Sequence, residues 1–326
     1  MKALAFTFLT WLVLVAPAGA SECRVTLPDI TFSTLRTLHV AIDGEIVVAN
    51  GYRGASPTAA TNVKSVSKTL MGAMVGAAIF NDVLSGVDEH VADLLPTALP
   101  ANPDPRLSQL TVGHLLSMQS GLRRTSGQNY GAWVASSDWT RAALDQPVEQ
   151  APGGEMRYST GNTHLLSAIL ETLAGKPSYV LANEWLAPAG IDVADWMTSP
   201  EGVALGGNQI AMRPEAVIAL GELYRNNGVA PNGERLLPEE WVAESWRVRA
   251  HSRWTGDGYG YGWFARSFAG YQGYYGWGYG GQMLYVIPDL NMTVVMTSDT
   301  NRPSGRTGYR DALHEFVADL LGTTAC

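Results

Sequence analysis

The sequence predicts an α+β fold: an antiparallel sheet flanked by helices, with a mainly helical region inserted into it. Three observations predict it. Extended segments lie near both ends of the chain. Helical segments fill the middle. The two cysteines, Cys23 and Cys326, stand near the two extremities. Strands from both ends that share one layer, with helices between them, make such a layer with an insertion. The expected division is a leader at 1–20, the α/β layer at 21–80 and 250–326, and the helical insertion at 81–249.

Each element follows from its residues. Lys2, the apolar run Leu4 to Val15 and the small residues Ala18-Gly19-Ala20 form a secretory signal peptide cut after Ala20. The protein is therefore expected in the periplasm or outside the cell. The apolar run is too short to span a membrane comfortably, and no later stretch stays apolar for eighteen residues, so no membrane span is expected after its removal. Leu35–Ile42 and Glu45–Gly51 read as two strands joined at Asp43-Gly44, a strong hairpin signal. Val66–Phe80 is a helix apolar nearly all round, so it belongs in the core. Thr111–Met118, Thr163–Leu173, Pro177–Leu186 and Pro214–Arg225 read as further helices, the last two opening on proline. Loops rich in proline and glycine, such as 96–105 and 150–154, separate them. Tyr259–Arg266, Gln282–Ile287 and Met292–Thr297 read as strands, and Tyr309–Leu321 as an amphipathic closing helix. Residues 251–285 hold ten glycines and twelve aromatics. That composition suits a turn-rich sheet and also a pocket wall, since glycine admits a ligand to the backbone.

Composition narrows the function. The chain has 326 residues, 46% hydrophobic and 16% charged. It is too apolar to remain disordered and long enough for a large core. The net charge is −8, or −9 once Lys2 leaves with the leader. No dense Lys/Arg run exists, so nucleic acid is not an expected partner. In an oxidising compartment Cys23 and Cys326 can close a disulfide that ties the mature termini together, worth roughly 3–5 kcal/mol for so long a loop. Two free thiols at the chain ends are the alternative. Neither cysteine is flanked by metal-ligand spacing, so no metal and no cofactor is expected.

The chemistry points to a serine nucleophile. The chain lacks GxSxG, HExxH and GxxxxGK[ST]. It has Ser65-Val66-Ser67-Lys68, an SxxK tetrapeptide opening the buried helix. Three residues is close to one turn, so Ser65 and Lys68 share a face. A serine needs a base, and a lysine whose pKa is lowered by burial can serve. Alone the motif is weak, because a capping serine beside a solvated lysine looks the same. A second element, Arg157-Tyr158-Ser159-Thr160-Gly161-Asn162, precedes a helix, and the Tyr158 hydroxyl could carry the serine proton to a leaving group. A third, Gly276-Trp277-Gly278-Tyr279-Gly280-Gly281-Gln282, enters a strand and can present backbone N–H groups to an oxyanion.

In this order and at these separations the three elements resemble the serine β-lactamase and penicillin-binding-protein superfamily. The resemblance is to its class C and esterase-like branch, nearest the 6-aminohexanoate-dimer hydrolase group. Supporting stretches at 38–49, 111–122 and 206–210 carry it over most of the chain. It implies a β-lactamase/transpeptidase-like fold. It also implies Ser65 as nucleophile, Lys68 and Tyr158 as its proton-handling partners, and Tyr279 N–H as second oxyanion donor beside that of Ser65. Thr160 stands where the family's motif carries asparagine, with Asn162 as a substitute for the missing amide. Gly276-Trp277-Gly278 stands where the family carries Lys-Thr-Gly, although a register shifted to Gly278-Tyr279-Gly280 is the alternative. Loss of that lysine, Trp277 beside it and the acidic net charge all favour neutral or apolar small-molecule esters and amides over anionic β-lactams. A β-lactamase or D,D-peptidase on the same scaffold, or a binding protein that keeps the cleft without catalysis, are the alternatives. The sequence does not reveal an oligomeric state.

Overall fold

The structure is a computed structural model, and it describes residues 25–324. The expected leader at 1–20 and both Cys23 and Cys326 lie outside the described residues. The strands are β1 (Leu35–Ile42), β2 (Glu45–Gly51), β3 (Thr61–Asn62), β4 (Asp195–Trp196), β5 (Ile210–Met212), β6 (Ala250–His251), β7 (Gly258–Tyr259), β8 (Phe264–Phe268), β9 (Tyr271–Gly278), β10 (Gln282–Ile287) and β11 (Met292–Ser298). The helices are α1 (Ser67–Phe80), α2 (Val91–Leu94), α3 (Val112–Leu116), α4 (Tyr130–Val134), α5 (Trp139–Leu144), α6 (Thr160–Ala174), α7 (Ser178–Trp185), α8 (Pro214–Arg225), α9 (Trp241–Trp246) and α10 (Tyr309–Thr323).

Eight strands form one sheet in the order β2-β1-β11-β10-β9-β8-β7-β6, with every neighbouring pair antiparallel. Strand β1, from the start of the chain, pairs with β11, from its end. The β1–β2 hairpin turns at Asp43 and Gly44, both at positive φ, as a two-residue turn between right-twisted strands requires. A core of α1, α6, α8 and their neighbours covers one side of the sheet. A second core, with α10, covers the other. Among the described residues no helix is long and apolar enough to cross a membrane.

Helix α1 is buried along nearly its whole length, which explains its lack of a polar face. Two departures from the sequence reading bear on the site. The expected strand at 259–266 is broken into β7 and β8. At Gly262, which has positive φ, a Cβ would lie 2.6 Å from the Lys68 carbonyl, so the chain bends to clear the helix beneath it. Helix α6 begins at Thr160, three residues before the expected start. The sequence also missed the strand β9 as a separate element and the small sheet β3-β5-β4. Most of the aromatic stretch at 251–285 is packed core, with Tyr259, Trp263, Phe264, Tyr275 and Tyr285 buried, rather than pocket wall.

Candidate active site

Ser65 lies in a tight 3₁₀ turn, Lys64–Val66, that runs directly into α1. The residue before it, Lys64, has φ +52°, a conformation costly for any residue with a Cβ. Local hydrogen bonds hold it there. The Lys64 N–H donates to Asn62 Oδ1 at 2.9 Å, and Lys64 Nζ donates to Gln209 Oε1 at 3.1 Å. Asn62 Nδ2 donates to the same Gln209 oxygen at 2.6 Å. The strained turn leaves Ser65 half-exposed while Lys68 sinks into the core at 1% exposure.

One turn separates them, and Lys68 Nζ is 3.2 Å from Ser65 Oγ. The same nitrogen donates to the Gly207 carbonyl at 2.5 Å and lies 3.4 Å from Thr160 Oγ1. No carboxylate pairs with it among the described residues. Burial without a counter-ion disfavours the charged form, and the Lys68 pKa falls to about 7. Gly207 can come this close only because it lacks a side chain. A Cβ there would lie 1.9 Å from Thr163 Oγ1 and 3.0 Å from Lys68 Nζ.

Tyr158 completes the group. Its ring centroid is 5.0 Å from Lys68 Nζ, and its ring stacks on Phe264 with an edge contact to Tyr259. Burial pushes the phenol pKa up, and the nearby Ser65 hydroxyl opposes that shift only in part. Tyr158 is therefore a neutral phenol at ordinary pH, whereas Lys68 exchanges its proton near neutrality.

The start of α6 supplies the next contacts. Its first N–H groups have no intrahelical acceptor. Thr160 N–H donates to Ser126 Oγ at 2.8 Å, and Gly161 N–H to Thr125 Oγ1 at 2.7 Å. The loop at 125–126 thus caps α6 from across the cleft, which ties it to the site. Ser126 Oγ also sits 2.9 Å from Thr160 Oγ1, so a chain of polar atoms runs Ser126, Thr160, Lys68, Ser65. Asn162 is turned elsewhere: its Oδ1 accepts from Ser120 Oγ at 3.1 Å. The hydroxyl of Thr160, rather than the Asn162 amide, reaches Lys68. Sequence reasoning missed Ser126 and the Gly207 carbonyl. In the sequence Gly207 stands out only as part of the stretch 206–210, and a cap supplied by hydroxyls more than thirty residues away leaves no local motif.

Strand β9 passes over the Ser65 turn. Gly276 faces Thr69 and Val66, and Gly278 faces Val63 and Lys64. Alternation along the strand sends Trp277 to the opposite face. There its Nε1 donates to Ser304 Oγ at 3.3 Å and its ring lies under Arg310. Trp277 therefore packs on the segment leading into α10, on the face of β9 opposite the Ser65 turn. Tyr279 follows the end of β9 and is 49% exposed. Among the described residues no cluster of His, Cys, Asp and Glu is placed to hold a metal ion.

A serine at the head of a buried helix, a lysine one turn on and a tyrosine from a facing loop define a class of serine acyl-transfer hydrolases built on this α+β sheet. The chain belongs to the beta-lactamase family, whose model matches residues 36–318, and members of that family are serine hydrolases. Solved structures share the fold. A candidate 6-aminohexanoate-dimer hydrolase from Bacillus anthracis superposes with TM-score 0.71 at 18% identity, over 89% of this chain and 80% of that one. A penicillin-binding protein homologue from Caulobacter crescentus gives 0.67 at 19%, over 87% and 92%. EstCE1, described as a hydrolase with promiscuous acyltransferase activity, gives 0.67 at 21%, over 86% and 92%.

Proposed function

We propose that this protein hydrolyses esters or amides through a Ser65 acyl-enzyme. The observation that carries the reading is Lys68, buried without a counter-ion 3.2 Å from Ser65 Oγ and neutral above about pH 7. A neutral amine has a lone pair, so it accepts the serine proton as Oγ bonds to the substrate carbonyl carbon. Tyr158, a neutral phenol beside Lys68, gives its proton to the leaving group as the scissile bond breaks and takes the serine proton back from the Lys68 ammonium, so both groups are neutral again. Water then adds to the acyl carbonyl through the same pair, and the Ser65–acyl bond breaks with the proton returned to Oγ. The N–H groups of Ser65 and Tyr279 hold the oxyanion in this reading. The placement of Gly276 and Gly278 against the Ser65 turn supports that register over the shifted one.

No lysine of β9 stands where it would draw a carboxylate to the scissile carbonyl, which favours substrates uncharged at that point. We also propose export, on the leader at 1–20, and a Cys23–Cys326 clasp.

The test is a panel of a p-nitrophenyl ester, a linear amide and a chromogenic cephalosporin, run on the wild type and on Ser65→Ala. Turnover of the ester or amide that vanishes in Ser65→Ala, together with fluorophosphonate labelling at Ser65, is expected. Full turnover by Ser65→Ala would overturn the mechanism. Fast cephalosporin turnover with inert esters would make the protein a β-lactamase instead.

A further inference from the structure

Arg157, the residue before Tyr158, lines an open surface cavity of about 360 Å³, roomy enough for a small substrate group. Three more arginines line it. Arg123 and Arg124 come from the loop that caps α6 through Thr125 and Ser126, and Arg253 comes from the segment before β7, next to Trp254. Against four guanidiniums the lining holds one carboxylate, Glu149. Its two oxygens are divided between Arg123 at 3.1 Å and Arg157 at 2.5 Å. Arg124 and Arg253 have no carboxylate within 4.0 Å among the described residues. Arg124 lies over the Trp254 ring, 4.8 Å from its centroid, and that ring is 57% exposed.

The arrangement needs an explanation beyond composition. A protein of net charge −8 gathers four cations around one cavity and neutralises only part of their charge. Like charges held together repel unless an anion is shared between them. The planar guanidinium fork is the side chain best matched to a carboxylate, and stacking Arg124 on Trp254 orients the fork while leaving its N–H groups free to donate. The cavity also adjoins the reacting centre along the chain: Arg157 neighbours Tyr158, and Arg124 is two residues from Ser126, whose hydroxyl bonds Thr160 beside Lys68.

We propose that this cavity is a subsite for a carboxylate carried by the substrate at a distance from the scissile bond. The inference rests on the acyl-enzyme reading. It confines the preference for uncharged groups to the surroundings of the scissile carbonyl. It also makes local charge, not net charge, the selector.

The experiment compares p-nitrophenyl hydrogen suberate with p-nitrophenyl octanoate, an ester of equal acyl length without the charge. A third ester, octanoylated 4-hydroxybenzoate, carries the carboxylate on the leaving group. At low salt at least one anionic ester is expected to exceed the neutral one in kcat/KM by about tenfold or more, a gap that narrows as salt screens it. In Arg124→Gln/Arg253→Gln, with melting temperature and circular dichroism checked, that ratio should fall towards one. Free suberate should raise the melting temperature of the wild type and not of the double variant. Equal rates on all three esters in the wild type, or a ratio that survives the double substitution, would overturn the subsite. Ser65→Ala separates the two readings. If it hydrolyses the esters, the acyl-enzyme mechanism fails, while suberate stabilisation still reports on the cavity.

Discussion

Burial moves the Lys68 and Tyr158 pKa values in opposite directions, which gives them different tasks in the proposed mechanism. Lys68 loses its proton near pH 7 because desolvation disfavours the ammonium, so acylation should rise with pH through about 7 and then level off. Burial raises the Tyr158 phenol, so Tyr158 adds no falling limb in the ordinary range. A pre-steady-state pH profile of ester acylation checks both. A flat profile between pH 5 and about 9 would remove Lys68 as the base. The same shift affects stability. A base whose folded pKa is lowered destabilises the native state fully below about 7, and the penalty fades as pH rises towards the ordinary lysine value. Lys68→Met should therefore be inactive, and its stability relative to wild type should decline between pH 7 and pH 10 in urea titrations. Tyr158→Phe should fold normally and slow acylation by about 10² or more, read in single-turnover kinetics. Ser65 and Lys68 were legible because an i, i+3 spacing is a local fact, and Tyr158 because it stands in a short motif ahead of a helix. Their pKa values were not, because desolvation depends on what the rest of the chain buries.

At the scale of elements, the site depends on close approaches that glycine permits. A Cβ on Gly278 would lie 2.4 Å from the Val63 carbonyl and 3.0 Å from Lys64 Cβ. Gly278→Ala must push β9 away from the Ser65 turn. We expect kcat/KM to fall by about tenfold or more while stability drops by only about 1–3 kcal/mol, measured by ester kinetics and urea unfolding on one preparation. An unchanged kcat/KM would separate β9 from the oxyanion site. The hairpin at Asp43-Gly44 and the helix at Pro214–Arg225 were readable to the residue, since turn chemistry and a first-turn proline mark them locally. The start of α6 was not. Its cap comes from Thr125 and Ser126, more than thirty residues earlier in the chain, so nothing beside Thr160 announces it. The break between β7 and β8 escaped for the same reason: it answers to the Lys68 carbonyl beneath Gly262.

At the scale of the molecule, pairing of β1 with β11 draws both ends of the chain into one sheet. The ends meet again beyond it. Thr323 Oγ1 donates to the Thr26 carbonyl at 2.7 Å, and Val25, Leu27, Ile30 and Phe32 pack on the core beneath α10. This proximity supports the proposed Cys23–Cys326 clasp. Intact-mass analysis of the exported protein should show a loss of two hydrogens. Replacing both cysteines with serine should cost about 2–5 kcal/mol in unfolding free energy. Recovery of two alkylatable thiols from unreduced protein would refute the clasp.

The sequence by itself determined the fold class and the order of most elements, and it singled out Ser65, Lys68 and Tyr158 as the candidate nucleophile and its partners. Periodicity, turn residues and short motifs are local, and they stay readable in one dimension. The tertiary structure decided that Lys68 is buried with no counter-ion among the described residues, that Thr160 rather than Asn162 reaches it, and that Trp277 turns away. It also gathered Arg123, Arg124, Arg157 and Arg253, separated by as many as 130 residues, around one cavity in an acidic protein. Burial, strand facing and the summed field of distant charges depend on three-dimensional proximity, which no local pattern encodes.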